Sequence, residues 1–404
     1  MESTPDSNYS WFRLGITLLV AMTGNVGMWS IIVVMPAIQS EFGVDRADAS
    51  IPYTLTMIGF ALGNAVTGKL VDRYGVTAAL IASAILIALG NLGAAMVNSI
   101  NAVSLLQFVI GFGTAASFGP LIADISHWFR KRRGMAVAIT ASGNYLSGAI
   151  WPILLAGVLR EFGWRGVYQS LAVITLVIVI PLAIVLGRRS MAAAVVRQGG
   201  PNVIAGPVGG IFSPNRLTFL LGLAGIGCCV AMAMPQVHIV SLCADLGYGP
   251  AVGAEMLSLM LLGGVVSRLV FGALSDRLGG VRTILVGSAL QCAALFLYLP
   301  FDGLVSLYLV SLVFGLSQGG IVPAYAMVVR EYMPAEQAAT RVGIVMMATV
   351  LGMALGGWMS GWIYDVTGSY TMAFLNGIVW NFLNIGVMSL ILWRGRSRAL
   401  PATA

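Results

Sequence analysis

Apolar runs of about 20 residues, separated by short polar or Gly/Pro breaks, recur along the whole chain. A helix rising 1.5 Å per residue crosses a hydrocarbon core of about 30 Å in roughly 20 residues, so each run predicts one membrane-crossing helix. The runs fall near residues 14–38, 49–70, 77–98, 101–127, 134–159 and 164–187. A second set falls near 217–244, 250–274, 281–300, 303–329, 341–363 and 370–393. Strands of a membrane barrel would alternate in segments of about 10 residues, and these runs do not alternate. Between the two sets lies Gly187–Arg216, which is Gly/Pro-rich, basic and without acids. The expected architecture is all-α, with twelve transmembrane helices in two pseudo-symmetric six-helix bundles. An N-terminal half covers 1–187, a cytoplasmic linker 188–216 and a C-terminal half 217–404.

Composition supports this reading. The chain has 404 residues, 58% hydrophobic and 9% charged, whereas a soluble domain carries about 25% charged residues. The first 13 residues are polar, and the apolar run after them outlasts a signal-peptide core, so it reads as a retained first span. Gly (50) and Met (20) are abundant, which suits close helix contacts and adaptable packing. Cys228, Cys229, Cys243 and Cys292 fall in or at the ends of apolar runs, without metal-ligand or disulfide spacing. The adjacent Cys228–Cys229 pair reads as small core residues or as a soft, thiophilic site. No metal and no cofactor are expected. No nucleophile, base and acid converge in the pattern, which argues against an enzyme.

Charge sets the orientation. With both termini in the cytoplasm, 18 of the 22 Lys and Arg face that side, Arg13 among them. Arg46, Arg160 and Arg165 face the other, and Arg268 lies inside a span. The net charge of +7 is then explained by basic loops facing anionic lipids, with no need for nucleic acid. In this register two phrases, "GKLVDRYG" (Gly68–Gly75) and "GALSDRLG" (Gly272–Gly279), both follow the second span of a half, 204 residues apart. The duplication is one of topology, a plan used by alternating-access carriers. In such short loops Gly serves close approach or positive φ, Asp can cap a helix, and Arg can pair with another loop. The plainer alternative is that these charges only set topology.

The repeated G-x-L-x-D-R-x-G resembles the signature of the major facilitator superfamily. Four further stretches are similar to its monocarboxylate-transporter and oxalate:formate-antiporter branch: "HWFRKRRGMAVAITASGNYLSG", "VHIVSLCADLGYGP", "SRLVFGALSDRLG" and "GGWMSGWIYDVTGSY". The resemblance implies the major facilitator fold and a gating role for Gly68, Asp72, Arg73, Gly272, Asp276 and Arg277. It also aligns Arg268 with the branch's substrate-binding arginine. Two departures stand out. Animal monocarboxylate carriers place an Asp four residues before that arginine for proton coupling, where this chain has Gly264. Oxalate:formate antiporters add a Lys in span 11, where this chain has no cation.

Read from the residues alone, Arg268 lies eight residues before Asp276, roughly 12 Å into the helix and too deep for easy snorkelling. Its guanidinium is permanently charged and fork-shaped, matching a carboxylate. It reads as an anion anchor, or else as the partner of a structural acid. A single buried cation favours a monoanion over a dianion. His238, just after Pro235, is a second candidate, for a proton or a carboxylate, or simply a satisfied core histidine. Pro235 is expected to break or bend its helix. His127, beside a basic stretch, reads as an interface anchor. Polar and aromatic residues at mid-depth complete the candidates: Asn25, Trp29, Asn144, Tyr145, Gln318 and Tyr325. Each also has an ordinary reading as helix–helix packing. Gly352/Gly356 and Gly357/Gly361 read as helix contact.

The reading that follows is a monomeric secondary transporter of a small organic anion, a monocarboxylate, by alternating access with proton symport or anion exchange. Its expected partners are that anion, a coupling proton and membrane lipids. Its expected place is the plasma membrane, in a bacterium the inner one, multi-pass with both termini cytoplasmic. The alternative is a proton-coupled efflux pump for drugs or xenobiotics. Such pumps carry G-x-x-x-G-P-x-x-G-G in span 5, whereas this chain has "SGNYLSGAIWP". A sensor or scaffold would need an added soluble domain.

Overall fold

The computed structural model describes residues 6–129, 131–187, 212–333 and 335–397. These residues are almost entirely helical. In chain order the helices are α1 (Asn8–Gly24), α2 (Val26–Phe42), α3 (Arg46–Met96), α4 (Ile100–Thr114), α5 (Gly119–His127) and α6 (Arg133–Gly187). They continue with α7 (Pro214–Asp245), α8 (Pro250–Leu278), α9 (Gly280–Leu297), α10 (Leu304–Gln318), α11 (Ile321–Tyr332), α12 (Ala335–Thr367) and α13 (Tyr370–Ser397). Ten stretches are long and apolar enough to cross a membrane, and one of them, Gly134–Gly187, is long enough to cross twice. With the first arm of α3, this agrees with twelve crossings. The linker expected over 188–216 falls mostly outside the described residues.

Both α3 and α6 are two arms joined at one glycine, Gly75 (φ 82°, ψ 164°) in α3 and Gly163 (φ 66°, ψ −176°) in α6. That backbone region is essentially closed to residues with a Cβ. Gly279, before α9, has φ 79° and ψ 163°. The last glycines of the two repeated phrases therefore share one conformation. Gly68 and Gly272, by contrast, are helical and have open space around them. The positive-φ requirement thus belongs to the end of each phrase.

By compactness the chain divides into unit 1, Met1–Gly199 with Ile239–Leu261, and unit 2, Gly200–His238 with Leu262–Ala404. In unit 1, Val20, Leu80, Ala84, Leu121 and Ala183 form one buried cluster. Trp128, Phe129, Leu14 and Ile125 form another. Glycine brings α3 and α4 backbone to backbone: a Cβ added at Gly59, Gly63 or Gly111 would stand 2.0–2.4 Å from a carbonyl oxygen of the facing helix. In unit 2 the core gathers Leu221, Cys228, Cys229, Ile284, Tyr325, Val328 and Met388, so the cysteine pair is packed as small core residues. All four thiols are free and buried. Gly352 and Gly356 lie against the Ile226 and Val230 carbonyls of α7, the helix contact expected of that glycine pattern. Leu89, Leu105, Val177 and Val379 remain largely exposed, as lipid-facing residues are.

Three spans are broken at mid-length. Asn25 separates α1 from α2, a 3-10 turn (Ala115–Ser117) separates α4 from α5, and Gly319–Gly320 separates α10 from α11. Pro235, expected to break or bend its helix, does not break it: α7 runs through as one helix.

Candidate functional site

Arg268 sits on α8 ten residues before its end, and its Nε donates to the Gly319 carbonyl at 3.2 Å. That carbonyl belongs to the α10–α11 break, where the helix interior no longer claims every backbone acceptor. The approach is close: a Cβ added at Gly319 would lie 2.2 Å from the Gly264 carbonyl oxygen. Gly264 is one turn before Arg268 on α8, so a glycine–glycine contact sets where the guanidinium meets the break. Gln318, the residue before the break, is fully buried.

The first-half candidates form two groups in unit 1. Trp29 Nε1 donates to the backbone oxygen of Asn144 at 3.0 Å and to its side-chain Oδ1 at 2.9 Å. The Tyr145 ring meets Trp29 edge-on at 6.3 Å. These three, predicted separately, come together. Asn25 acts elsewhere, since its Nδ2 donates to the Ala21 carbonyl at 2.7 Å and to the Ser117 carbonyl at 3.1 Å. It ties the break in the first span to the 3-10 turn, and Gly24 beside it leaves no room for a Cβ against Ser117.

In unit 2, Tyr325 donates to Asn384 Oδ1 at 2.7 Å, and Asn384 Nδ2 donates to Ser288 Oγ at 2.6 Å. Asn381 Nδ2 reaches the Ser288 carbonyl at 2.8 Å, and Gln291 Nε2 the Cys228 carbonyl at 3.2 Å. Tyr325 thus belongs to a buried polar network that joins α7, α9, α11 and α13. His238 is fully buried, with Nε2 2.8 Å from the Gly357 carbonyl and Nδ1 3.4 Å from the Tyr370 hydroxyl. The carbonyl can only accept, so the proton is on Nε2 and Nδ1 accepts from tyrosine. Both ring nitrogens are engaged, as in a core histidine. His127 is exposed at the end of α5.

Of the gating candidates, Arg73 lies over the Tyr74 ring at 5.2 Å. Asp276 and Arg277 are exposed, and neither forms an ion pair among the described residues. The Asp72 side chain lies outside the described ones.

Several polar contacts escaped the sequence reading. Arg13 is buried inside α1. Its Nε and Nη2 donate to Asp124 Oδ2 (3.1 and 2.8 Å), its Nη1 to the Leu186 carbonyl (2.7 Å), and it lies 4.5 Å from the Trp128 ring centroid. It is an internal tie of unit 1, a role that its assignment to the cytoplasmic side did not reveal. Thr56, Gln107 and Tyr168 form a hydrogen-bonded chain. Arg46 pairs with Asp245. Asn381 and Asn384, three apart in an apolar run, carried a readable signal; the ion pairs, more than a hundred residues apart in sequence, did not.

These features define a multi-pass helical membrane protein of the transporter kind. The Major Facilitator Superfamily profile matches residues 17–249 and 219–403, and the chain belongs to that superfamily. It is 28% identical to monocarboxylate transporter 13 of Bos taurus over 330 residues, 81% of this chain and 75% of that one. Human monocarboxylate transporter 11 is 26% identical, with 98% and 85% covered. The 3-(3-hydroxy-phenyl)propionate transporter of Escherichia coli K12 is 27% identical, with 98% of each chain covered. Among solved structures, a bacterial homologue of the human lysosomal transporter Spinster superposes with TM-score 0.73 at 13% identity, covering 97% and 98%. The nucleoside transporter NupG does so with 0.69 at 14%, covering 94% and 99%. At such identities the structures speak for the fold alone.

Proposed function

We infer that this chain is a secondary transporter of a small organic monocarboxylate, working by alternating access, with Arg268 as the carboxylate anchor. The observation that carries this reading is a guanidinium deep in α8, oriented at a helix break by the Gly319 carbonyl. A fork-shaped, permanently charged group in low dielectric favours a carboxylate. The relatives add support: two are named for monocarboxylates, and the third for an aromatic propionate that carries one carboxyl group.

Trp29, Asn144 and Tyr145, gathered within unit 1, are further candidates for substrate binding. Asn25, Tyr325 and His238 are engaged within their own units and, with the buried Gln318, would support the shape of the site. The two repeated phrases, through Gly68, Asp72, Arg73, Gly272, Asp276 and Arg277, would form and break contacts on the cytoplasmic side. The protein would work as a monomer in the plasma membrane, the inner one in a bacterium, with both termini in the cytoplasm. Proton symport and anion exchange are the two coupling modes this chemistry allows.

The test is uptake into proteoliposomes of labelled short-chain monocarboxylates, arylpropionates and dicarboxylates under imposed pH gradients. Monocarboxylate uptake should fall roughly tenfold to a hundredfold in Arg268→Gln, the value of a charge-assisted hydrogen bond or two. Undiminished uptake by that variant would overturn the anchor. Stimulation by an inward proton gradient marks symport, and stimulation by internal unlabelled substrate marks exchange.

A further inference from the structure

Within unit 2, α7 and α12 run side by side in the same direction, pressed together at depth and parted toward their starts. A Cβ added at Gly356 would lie 2.6 Å from the Val230 carbonyl oxygen, and one at Gly352 2.7 Å from that of Ile226. At Gly222, one turn nearer the start of α7, the nearest atom is the Ala348 Cβ at 3.6 Å, an ordinary contact. The widening wedge holds a cavity of about 430 Å³, the size of a small-molecule pocket. Its apolar walls are Phe219, Leu223, Ile226, Ile344 and Ala348.

The polar end of the cavity is made by Arg341, Thr218 and Asn215. Arg341 Nη1 donates to Thr218 Oγ1 at 2.7 Å, and Nη2 to Asn215 Oδ1 at 2.8 Å and Gln337 Oε1 at 2.7 Å. Its Nε donates to the same Gln337 oxygen at 3.0 Å. All three partners are neutral, and no carboxylate pairs with Arg341 among the described residues. A guanidinium has five N–H groups, so these bonds fix the fork, keep its charge and leave one N–H on Nη1. Both Arg341 and Asn215 stand second in their apolar spans, Thr340–Thr367 and Pro214–Asp245. The charge is therefore at the polar edge and the apolar walls run inward from it. A head group held in place beforehand costs a ligand little ordering.

We propose that this wedge is a second binding site, apart from Arg268, for a small amphipathic monoanion. The carboxylate would meet Arg341 Nη1 and Asn215 Nδ2, and the alkyl or aryl body would lie between α7 and α12. The cavity is of a size for an arylpropionate or a medium-chain acid, not for the two chains of a phospholipid. The site goes beyond the transport reading and does not require Arg268 to be the anchor.

The test is equilibrium dialysis of labelled 3-phenylpropionate against the purified, detergent-solubilised full chain. In Arg268→Gln, one bound acid per chain should remain. On that background Arg341→Gln should weaken binding roughly tenfold or more, the value of a charge-assisted hydrogen bond. Gly222→Leu should weaken it as far by filling the wedge, whereas Gly222→Ala should leave it within about twofold. From propionate to butanoate to pentanoate the affinity should rise about fourfold per methylene, and the neutral 3-phenylpropanamide should bind at least tenfold more weakly.

Loss of all binding in Arg268→Gln alone would overturn the second site. So would an affinity indifferent to Gly222→Leu, which decides the matter even if Arg341→Gln fails to fold. Phosphatidylglycerol retained by the purified protein is the other arm. If Arg341→Gln strips that lipid while phenylpropionate binding stands unchanged, the wedge belongs to lipid and the proposal fails. Monodisperse elution of each variant shows that folded protein is being compared.

Discussion

Arg13 and Arg268 are both guanidiniums inside apolar helices, yet their surroundings differ. Arg13 has a carboxylate, a backbone carbonyl and the Trp128 ring around it. Removing one partner of a buried pair leaves an uncompensated charge at a cost of about 3–5 kcal/mol. Asp124→Asn should therefore lower the unfolding temperature in detergent, while the folded fraction keeps the KM of the parent. Arg268 should behave in the opposite way. Arg268→Lys keeps the charge but loses the fork, so KM should rise roughly tenfold while the unfolding temperature moves little. That Arg268 lies inside a helix and not in a loop was legible from its distance to Asp276. The burial of Arg13 was not, because a charge count along the chain carries no information about a partner 111 residues away. His238 has the same lesson: a backbone carbonyl on α12 engages its ring, and no residue type announces a carbonyl.

At the scale of the elements, the helical runs were readable because apolar length alone decides which segments can cross a bilayer. The breaks were not. Pro235, the expected one, sits inside an unbroken α7, where the neighbours can compensate one missing N–H. The observed breaks at Asn25, Ala115–Ser117 and Gly319–Gly320 are made by contacts: an asparagine amide bridging two helices, and two glycines pressed together. Gly319→Ala would force a methyl into the Gly264 backbone. Overpacking of this kind costs about 1–3 kcal/mol, and here it also shifts the carbonyl that orients Arg268. Both a lower unfolding temperature and weaker uptake are expected. Gly68→Ala, with open space and helical backbone, should be stable or slightly stabilising in the same assays. The contrast separates glycines the fold requires from those it merely tolerates.

For the molecule as a whole, the duplication read from two eight-residue phrases reappears as matching backbone angles at Gly75 and Gly279. Each should cost about 1–3 kcal/mol as alanine, through strain alone at Gly75, where nothing crowds a Cβ. They lie in different units, so the double variant should show the sum of the two losses. The halves are less alike in their polar interiors, since Asn64 stands where the second half has Arg268, and that asymmetry was visible in the sequence. The matching turn also makes the two phrases interchangeable parts. A chain with "GALSDRLG" transplanted to 68–75 and "GKLVDRYG" to 272–279 presents the same bend at each corner. It should insert, fold and transport as the parent does, whereas moving Arg268 to position 64 should not.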